Sequence, residues 1–299
     1  MKTYIGVDLG GTSVRVAHVN EQGEILYVSK SDSFAQSGPT VVLNNIIEMI
    51  KQVPNYLDAS GIGVGIPGPV DTVRGVITLA TNLKDFVDFP VAKTLSDALG
   101  LPVFMDNDAN VAGLAEALVG AGKNEPIVYY ITHSTGIGGA LVVNGKVISG
   151  KSGYAGEIAN IKVCDSDEVI NHLVPGAVEN EASGTALARR AKESIDPTVE
   201  SAIDFFKLVE ANNEQALALI DDMAYKFAVM MASIAHVVDP HVFVLGGGVT
   251  SVSHLYLDKV KAYYKQMVHP GMADVKIVLA KLEEPGIVGA AMLSTSYGL

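Results

Sequence analysis

Apolar and polar positions along the chain fall into alternating blocks that read as strands and helices in turn. Tyr4–Leu9 is an apolar run of strand length, and Val14–Asn20 alternates as a second strand after Gly10-Gly11. The turn Glu21-Gln22-Gly23-Glu24 leads to a third strand, Ile25–Ser29, which completes a meander. Thr40–Val53 puts Val42, Leu43, Ile46, Ile47 and Ile50 on one helical face. Gly61–Ile66 and Leu101–Phe104 read as strands, and Asn110–Leu118 as a helix. A second round opens with strand Ile127–Ile131, turns at Thr135–Gly139 and continues through Ala140–Val143 to a hairpin signal at Asn144-Gly145 before Val147–Ile148. Helical spacing follows over Ser183–Lys192 and Ala202–Val209, and Met223–Val238 is apolar on nearly every face, as in a buried helix. Strand Val242–Leu245 ends in Gly246-Gly247-Gly248, Val275–Leu282 reads as a last strand, and Ile287–Ser294 as the closing helix.

The unit strand, glycine-rich turn, strand thus occurs twice, at Ile5–Val16 and Tyr129–Val142. This predicts an α/β chain in two parts, with the small-residue stretch Val119–Glu125 between them. Residues 1–118 would form the N-terminal lobe, rejoined by the C-terminal helix over 287–299, and residues 119–286 the C-terminal lobe.

Composition narrows the function classes. With 48% hydrophobic and 18% charged residues the chain can bury a core and is not a disordered one. A net charge of −12 argues against a nucleic-acid partner, because phosphate backbones demand clustered Lys and Arg. The single cysteine, Cys164, excludes an intramolecular disulfide framework and a multi-cysteine zinc site. No apolar run has the length of a membrane span, and MKTYIGVDLGG reaches Gly and Asp too early for a secretory signal, so a cytoplasmic protein is expected.

Glycine-rich turns after strands can cradle phosphate, since bare backbone N–H groups approach an anion closely. The P-loop pattern is absent: Gly145-Lys146 is followed by Val147. Gly63-Val64-Gly65-Ile66-Pro67-Gly68 matches the dinucleotide fingerprint by letter, but Pro67 interrupts it and Gly75-Val76-Ile77 beyond it reads as strand, not helix. Asp8-Leu9-Gly10-Gly11-Thr12 lies between two strands. There Asp8 can hold Mg²⁺ through water while Gly11 and Thr12 donate to phosphate; the plainer alternative is a tight hairpin whose Asp caps the turn.

These motifs, taken in order, resemble those of the ROK family (repressors, open reading frames and kinases) within the sugar kinase/Hsp70/actin superfamily. The resemblance is carried by D-x-G-G-T at Asp8–Thr12, GIPGPVD (Gly65–Asp71), DNDAN (Asp106–Asn110), STGIGGA (Ser134–Ala140), AGEIAN (Ala155–Asn160), ENEASGTALARR (Glu179–Arg190) and DPHVFVLGGGV (Asp239–Val249). It implies a duplicated, two-lobed actin-like ATPase (ribonuclease H-like) fold with nucleotide and sugar in the interlobe cleft. Asp8, Gly10, Gly11 and Thr12 would then form the first phosphate motif, and Thr135, Gly136 and Gly138 the second. Gly247 and Gly248 with Gly289 would form the adenosine motif.

Moving a phosphoryl group to an alcohol requires donors and metal on the phosphates, an alcohol held in line and a carboxylate to take its proton. Asp108 follows Asn107 at a strand end and precedes a helix, so it should project into a cleft; the alternative is that it caps the helix starting near Asn110. The resemblance implies that Asn107 binds sugar hydroxyls, that Asp108 takes the proton of the 6-hydroxyl and that Asp106 is a variable position. By family position, Gly65 and Gly68 let the chain pass close to the sugar, and Asn82, Glu157 and Glu179 bind it.

Two departures matter. Asn160 stands where the family has a zinc-binding His, and the cysteine cluster is missing after Cys164. No structural zinc is therefore expected, because one thiol and a distant His172 do not make a tetrahedral site. The segment Ile170–Ala177 would instead be held by packing of Ile170, Leu173 and Val174.

The leading expectation is an ATP- and Mg²⁺-dependent kinase for the 6-hydroxyl of a hexose or hexosamine of the glucose, N-acetylmannosamine and N-acetylglucosamine class. A β-glucoside (disaccharide) kinase is the nearest alternative. A sugar sensor that has lost catalysis and a sugar-responsive repressor stand further off; seven residues ahead of Asp8 are too few for a DNA-binding domain. The resemblance also implies a homodimer.

Overall fold

The computed structural model describes residues 2–80 and 83–298. The chain divides into two compact units. The first comprises residues 1–130, 140–156 and 280–299, and the second residues 131–139 and 157–279.

In the first unit, strands β1 (Thr3–Leu9), β2 (Ser13–Asn20) and β3 (Ile25–Asp32) form an antiparallel meander. Strand β4 (Ile62–Ile66) pairs parallel with β1, and β5 (Val103–Asn107) parallel with β4. The sheet order is β3-β2-β1-β4-β5. One face carries Val42, Ile46 and Ile50 of helix α1 (Pro39–Lys51) and Val91, Leu95 and Leu99 of helix α2 (Val91–Leu99), packed with Ile5, Val7 and Leu9. On the other face, helices α3 (Asp108–Leu118) and α4 (Pro285–Ser296) pack with Tyr4, Ala17 and Val19. Covering on both faces is why β1 reads as an unbroken apolar run rather than an alternating one. The letter-match Gly63–Gly68 runs from β4 into a small antiparallel hairpin, Val70–Asp71 with Val76–Ile77, so no dinucleotide-binding helix follows it.

The second five-stranded sheet repeats this layout. Its strands are β6 (Ile127–His133), β7 (Ile137–Val143), β8 (Lys146–Val147), β9 (Val242–Gly246) and β10 (Lys276–Leu279), in the order β8-β7-β6-β9-β10. Helices α5 (Val178–Ala182), α6 (Gly184–Ser194), α7 (Ala202–Glu210), α8 (Glu214–Val238) and α9 (Leu257–Met267) belong to the second unit.

The structure departs from the sequence pattern at definable places. Helices α2, α5 and α9 go beyond the elements read from the sequence: α5 has only five residues and α9 buries only Val260 and Tyr264, whereas α2 presents a regular stripe of Val91, Leu95 and Leu99. Helix α8 starts at Glu214 rather than near Met223, because Ala216, Leu219 and Ile220 continue its buried stripe through a polar first turn capped by Asn213. The last strand stops at Leu279. The Lys281 and Leu282 N–H groups donate instead to Oε1 of the fully buried Glu116, at 3.0 and 2.8 Å.

Candidate functional site

Asp8 ends β1, and Gly10 closes the turn by donating to the Ser13 carbonyl at 2.9 Å. Gly11 and Thr12 are exposed. The Asp8 carboxylate does not cap this turn. Its Oδ2 accepts from Arg15 Nη2 at 2.5 Å and from Nε at 3.2 Å, and Arg15 also pairs with Glu284 at the start of α4. Arg15 was not legible as a site residue, since one charge in an alternating strand reads as a solvated face.

Asn107 and Asp108 lie where β5 becomes α3. Asn107 is the cap: its Oδ1 accepts from the Asn110 N–H at 2.6 Å. Asp108 is the first helical residue and is exposed, with one carboxylate oxygen accepting from the Ala109 N–H at 2.8 Å. Desolvation by the surrounding protein raises its pKa above the usual carboxylate value. The Ala109 N–H opposes this, and the charge of Asp8 adds to the rise. Asp106 is buried rather than idle: it accepts from the Asn107 N–H, from Asn110 Nδ2 and from Ser149 Oγ.

Three of the expected glycines have structural reasons of their own. A Cβ on Gly65 would lie 2.8 Å from Val111 of α3 and 3.7 Å from Ala290 of α4, so its smallness lets these helices close on β4. Gly68 sits at φ +95, and a Cβ there would meet the Leu79 carbonyl at 2.4 Å. Gly289, expected near adenosine, is buried mid-helix in α4, where a Cβ would stand 1.7 Å from the Val111 carbonyl. Its lack of a side chain lets α3 and α4 cross closely. Asn82 lies outside the described residues.

In the second unit the turn Ser134–Gly136 joins β6 to β7, with Thr135 exposed. Glu179 anchors it: Oε2 accepts from the Ile137 N–H at 2.8 Å and lies 2.5 Å from where a Gly136 Cβ would be. Gly138 follows within β7. The start of α6 docks on the same turn, Gly184 N–H to the Ser134 carbonyl and Thr185 N–H to the Thr135 carbonyl. Gly247, at φ +91, lies against the His133 backbone, so a side chain there would strike its carbonyl at 2.5 Å. A cavity of 1060 Å³ joins these turns, lined among others by Thr135, Thr185, Arg189, Phe206, Gly248 and Val249. It is roomy enough for a nucleoside. Arg189 of α6 lies within the motif Glu179–Arg190, whereas Phe206 of α7 carried no sequence signal beyond helical periodicity.

Beneath the turn, His133 is fully buried. Its ring meets the Ala182 carbonyl at 2.8 Å and Tyr256 Oη at 3.2 Å, and stacks on Phe227 at 4.7 Å. Desolvation lowers its pKa to about 4, against an opposing bond to Ala182.

Glu157 and Asn160 are exposed. Asn160 Oδ1 accepts from the Val174 N–H at 2.7 Å. In the segment Ile170–Ala177, Ile170 and Leu173 are half-buried, and polar ties join the expected packing. Asn180 Nδ2 donates to the Ile170 carbonyl, Val163 N–H to the Gly176 carbonyl, and Val174 is 42% exposed. Among the described residues no three His, Cys, Asp or Glu side chains gather as a metal site, and no helix is long and apolar enough to cross a membrane.

Two sheets that repeat one strand order, each with a glycine turn after its first strand, define the actin-like ATPase (ribonuclease H-like) fold. A model of the ROK family matches residues 4–296, and the chain belongs to that family. It is 32% identical to a glucokinase of Halalkalibacterium halodurans, over 97% of this chain and 94% of that one. A ROK hexokinase from Thermus thermophilus superposes with a TM-score of 0.89 at 31% identity, covering 99% of this chain and 100% of that chain. A Streptomyces griseus ROK glucokinase, solved with glucose and AMPPNP, superposes at 0.77 with 28% identity, covering 97% and 98%. Within the family the chain is a carbohydrate kinase.

Proposed function

We propose that the chain transfers the γ-phosphoryl group of ATP to the 6-hydroxyl of a hexose or hexosamine of the glucose, N-acetylmannosamine and N-acetylglucosamine class, with Asp108 as general base. The observation that carries this reading is the division of labour at the start of α3. Asn107 satisfies the helix end, which leaves the Asp108 carboxylate exposed and with a raised affinity for protons. A base poised above the ordinary carboxylate range is better matched to an alcohol proton than an unperturbed one.

The remaining roles follow from donor chemistry. Gly10, Gly11 and Thr12 offer backbone and hydroxyl donors to phosphate, as do Thr135, Gly136 and Gly138. The cavity with Thr135 and Gly248 suits adenosine, the apolar Phe206 and Val249 facing the base and Arg189 the polar edge. Gly247 holds the turn beside it. Asp8 is a single, partly exposed carboxylate, which fits Mg²⁺, an ion that takes one or two carboxylates together with substrate phosphates. Bound there, the ion would neutralise charge developing on the transferred group. Asn107 and Glu157 are the side chains assigned to sugar hydroxyls, with Asn160 and Glu179 contributing as far as their anchoring bonds allow. The glucokinase relative and the glucose complex of a family member favour a glucose-class sugar.

ADP release measured against glucose, N-acetylmannosamine, N-acetylglucosamine, fructose and cellobiose tests the reading. Turnover should be greatest with a monosaccharide of the glucose class and the product a 6-phosphate. Preference for cellobiose would instead identify a β-glucoside kinase, and sugar binding without any ADP release would identify a sensor.

A further inference from the structure

The resemblance implies that Asp106 is a variable position, yet its buried carboxylate accepts three hydrogen bonds. Its Oδ1 accepts from the Asn107 N–H at 2.8 Å and from Asn110 Nδ2 at 2.7 Å, and its Oδ2 from Ser149 Oγ at 2.6 Å. Asn110 in turn donates its own N–H to Asn107 Oδ1. The turn from Asp106 to Asn110 is therefore closed by a ring of hydrogen bonds among Asp106, Asn107 and Asn110, with Asp108 held between them. Asp106 is 1% exposed and Asn110 0%, and among the described residues Asn110 Oδ1 has no partner, so the bond to Asp106 is the one among them that fixes that amide.

The third bond leaves the ring. Ser149 opens the segment 149–156, a strap with left-handed glycines at Gly150, Gly153 and Gly156. Ala155 N–H returns to the Ser149 carbonyl at 3.2 Å. Gly153 lies so close to Val70, in the loop Gly65–Asp71, that a Cβ there would fall 2.1 Å from its carbonyl. The strap thus touches two of the motifs assigned to the sugar, DNDAN at Ser149 and GIPGPVD at Gly153, and runs on to Glu157.

We propose that Asp106 is a positioning residue that holds Asn107 and Asp108 in place and, through Ser149, ties the strap 149–156 to them as a determinant of sugar affinity. This rests on the reading of Asp108 as the base.

The test uses the full chain with Ser149→Ala, Asp106→Ala and Asp106→Asn. Steady-state kinetics and hydrogen–deuterium exchange of peptides covering 149–156 are the readouts. Ser149→Ala cuts only the tie to the strap. It should speed strap exchange and raise the sugar KM about tenfold, with kcat within about twofold. Asp106→Ala should lower kcat at least tenfold as well. Asp106→Asn should recover most of that loss, because its Oδ1 still accepts from Asn107 and Asn110 and the Ser149 hydroxyl can turn to accept from its amide. Wild-type sugar KM in Ser149→Ala, or strap exchange unchanged by it, overturns the proposal. Asp108→Asn run alongside keeps the two readings apart: full turnover there overturns the base assignment, not the strap.

Discussion

The Asn107 amide oxygen takes the backbone N–H of Asn110 at 2.6 Å, and this one bond decides what the next residue is available for. A helix start needs a cap, and Asp is among the best caps available. With Asn107 in that place, Asp108 becomes the first residue of α3 and stays exposed.

Replacing Asp108 with Ala should therefore cost little stability and much chemistry. We expect kcat to fall by about 10²–10⁴-fold with sugar KM within a few-fold, in a coupled ADP-release assay. Thermal melting should change little, since the cap is untouched.

The raised pKa of Asp108 has a signed consequence. The carboxylate must be ionised to accept a proton, so kcat/KM should fall on the acid side through an apparent pKa above the usual carboxylate value of about 4. Desolvation is the main cause and the Asp8 charge contributes, so Asp8→Asn should move the Asp108 titration downward. Carboxylate carbon shifts in the nucleotide-free protein would show that movement independently of turnover.

His133 makes stability pH-dependent. Folded, it stays neutral down to about 4; unfolded, it takes a proton below about 6.5. Stability is thus fully present above pH 6.5 and drains away as pH falls towards 4, by on the order of 3 kcal/mol. Urea midpoints at pH 7 and pH 5 should show the loss, and His133→Phe should flatten it.

Gly289→Ala sets two effects against each other. Helix propensity favours Ala by about 1 kcal/mol. The added methyl, however, would sit 1.7 Å from the Val111 carbonyl, and forcing α3 and α4 apart costs about 3 kcal/mol. We expect a lower melting temperature and, because α3 carries Asp108, reduced kcat.

Glu179→Ala would leave the Ile137 N–H without its carboxylate and slacken the turn Ser134–Gly138. We expect the ATP KM to rise about tenfold. A rise confined to the sugar KM would return Glu179 to a purely sugar-binding role.

Much of this molecule is legible in its residue order. The apolar run Tyr4–Leu9 and the turn at Gly10-Gly11 are local signals, and β1 and its hairpin follow from them. DNDAN placed an acid at a strand–helix junction, and the junction is there. Steric and hydrogen-bond rules that span a few residues suffice for such features.

Contacts between residues far apart in the chain are another matter. Whether Asp108 or Asn107 caps α3, that Arg15 meets Asp8 and Glu284, that Gly65 and Gly289 serve helix packing, and that Asp106 reaches Ser149 across 43 positions were settled only by tertiary structure. The physical reason is that burial and long-range hydrogen bonding assign a side chain its partner. The same Asp or Gly letter is compatible with a cap, a ligand or a close contact until the chain has folded around it.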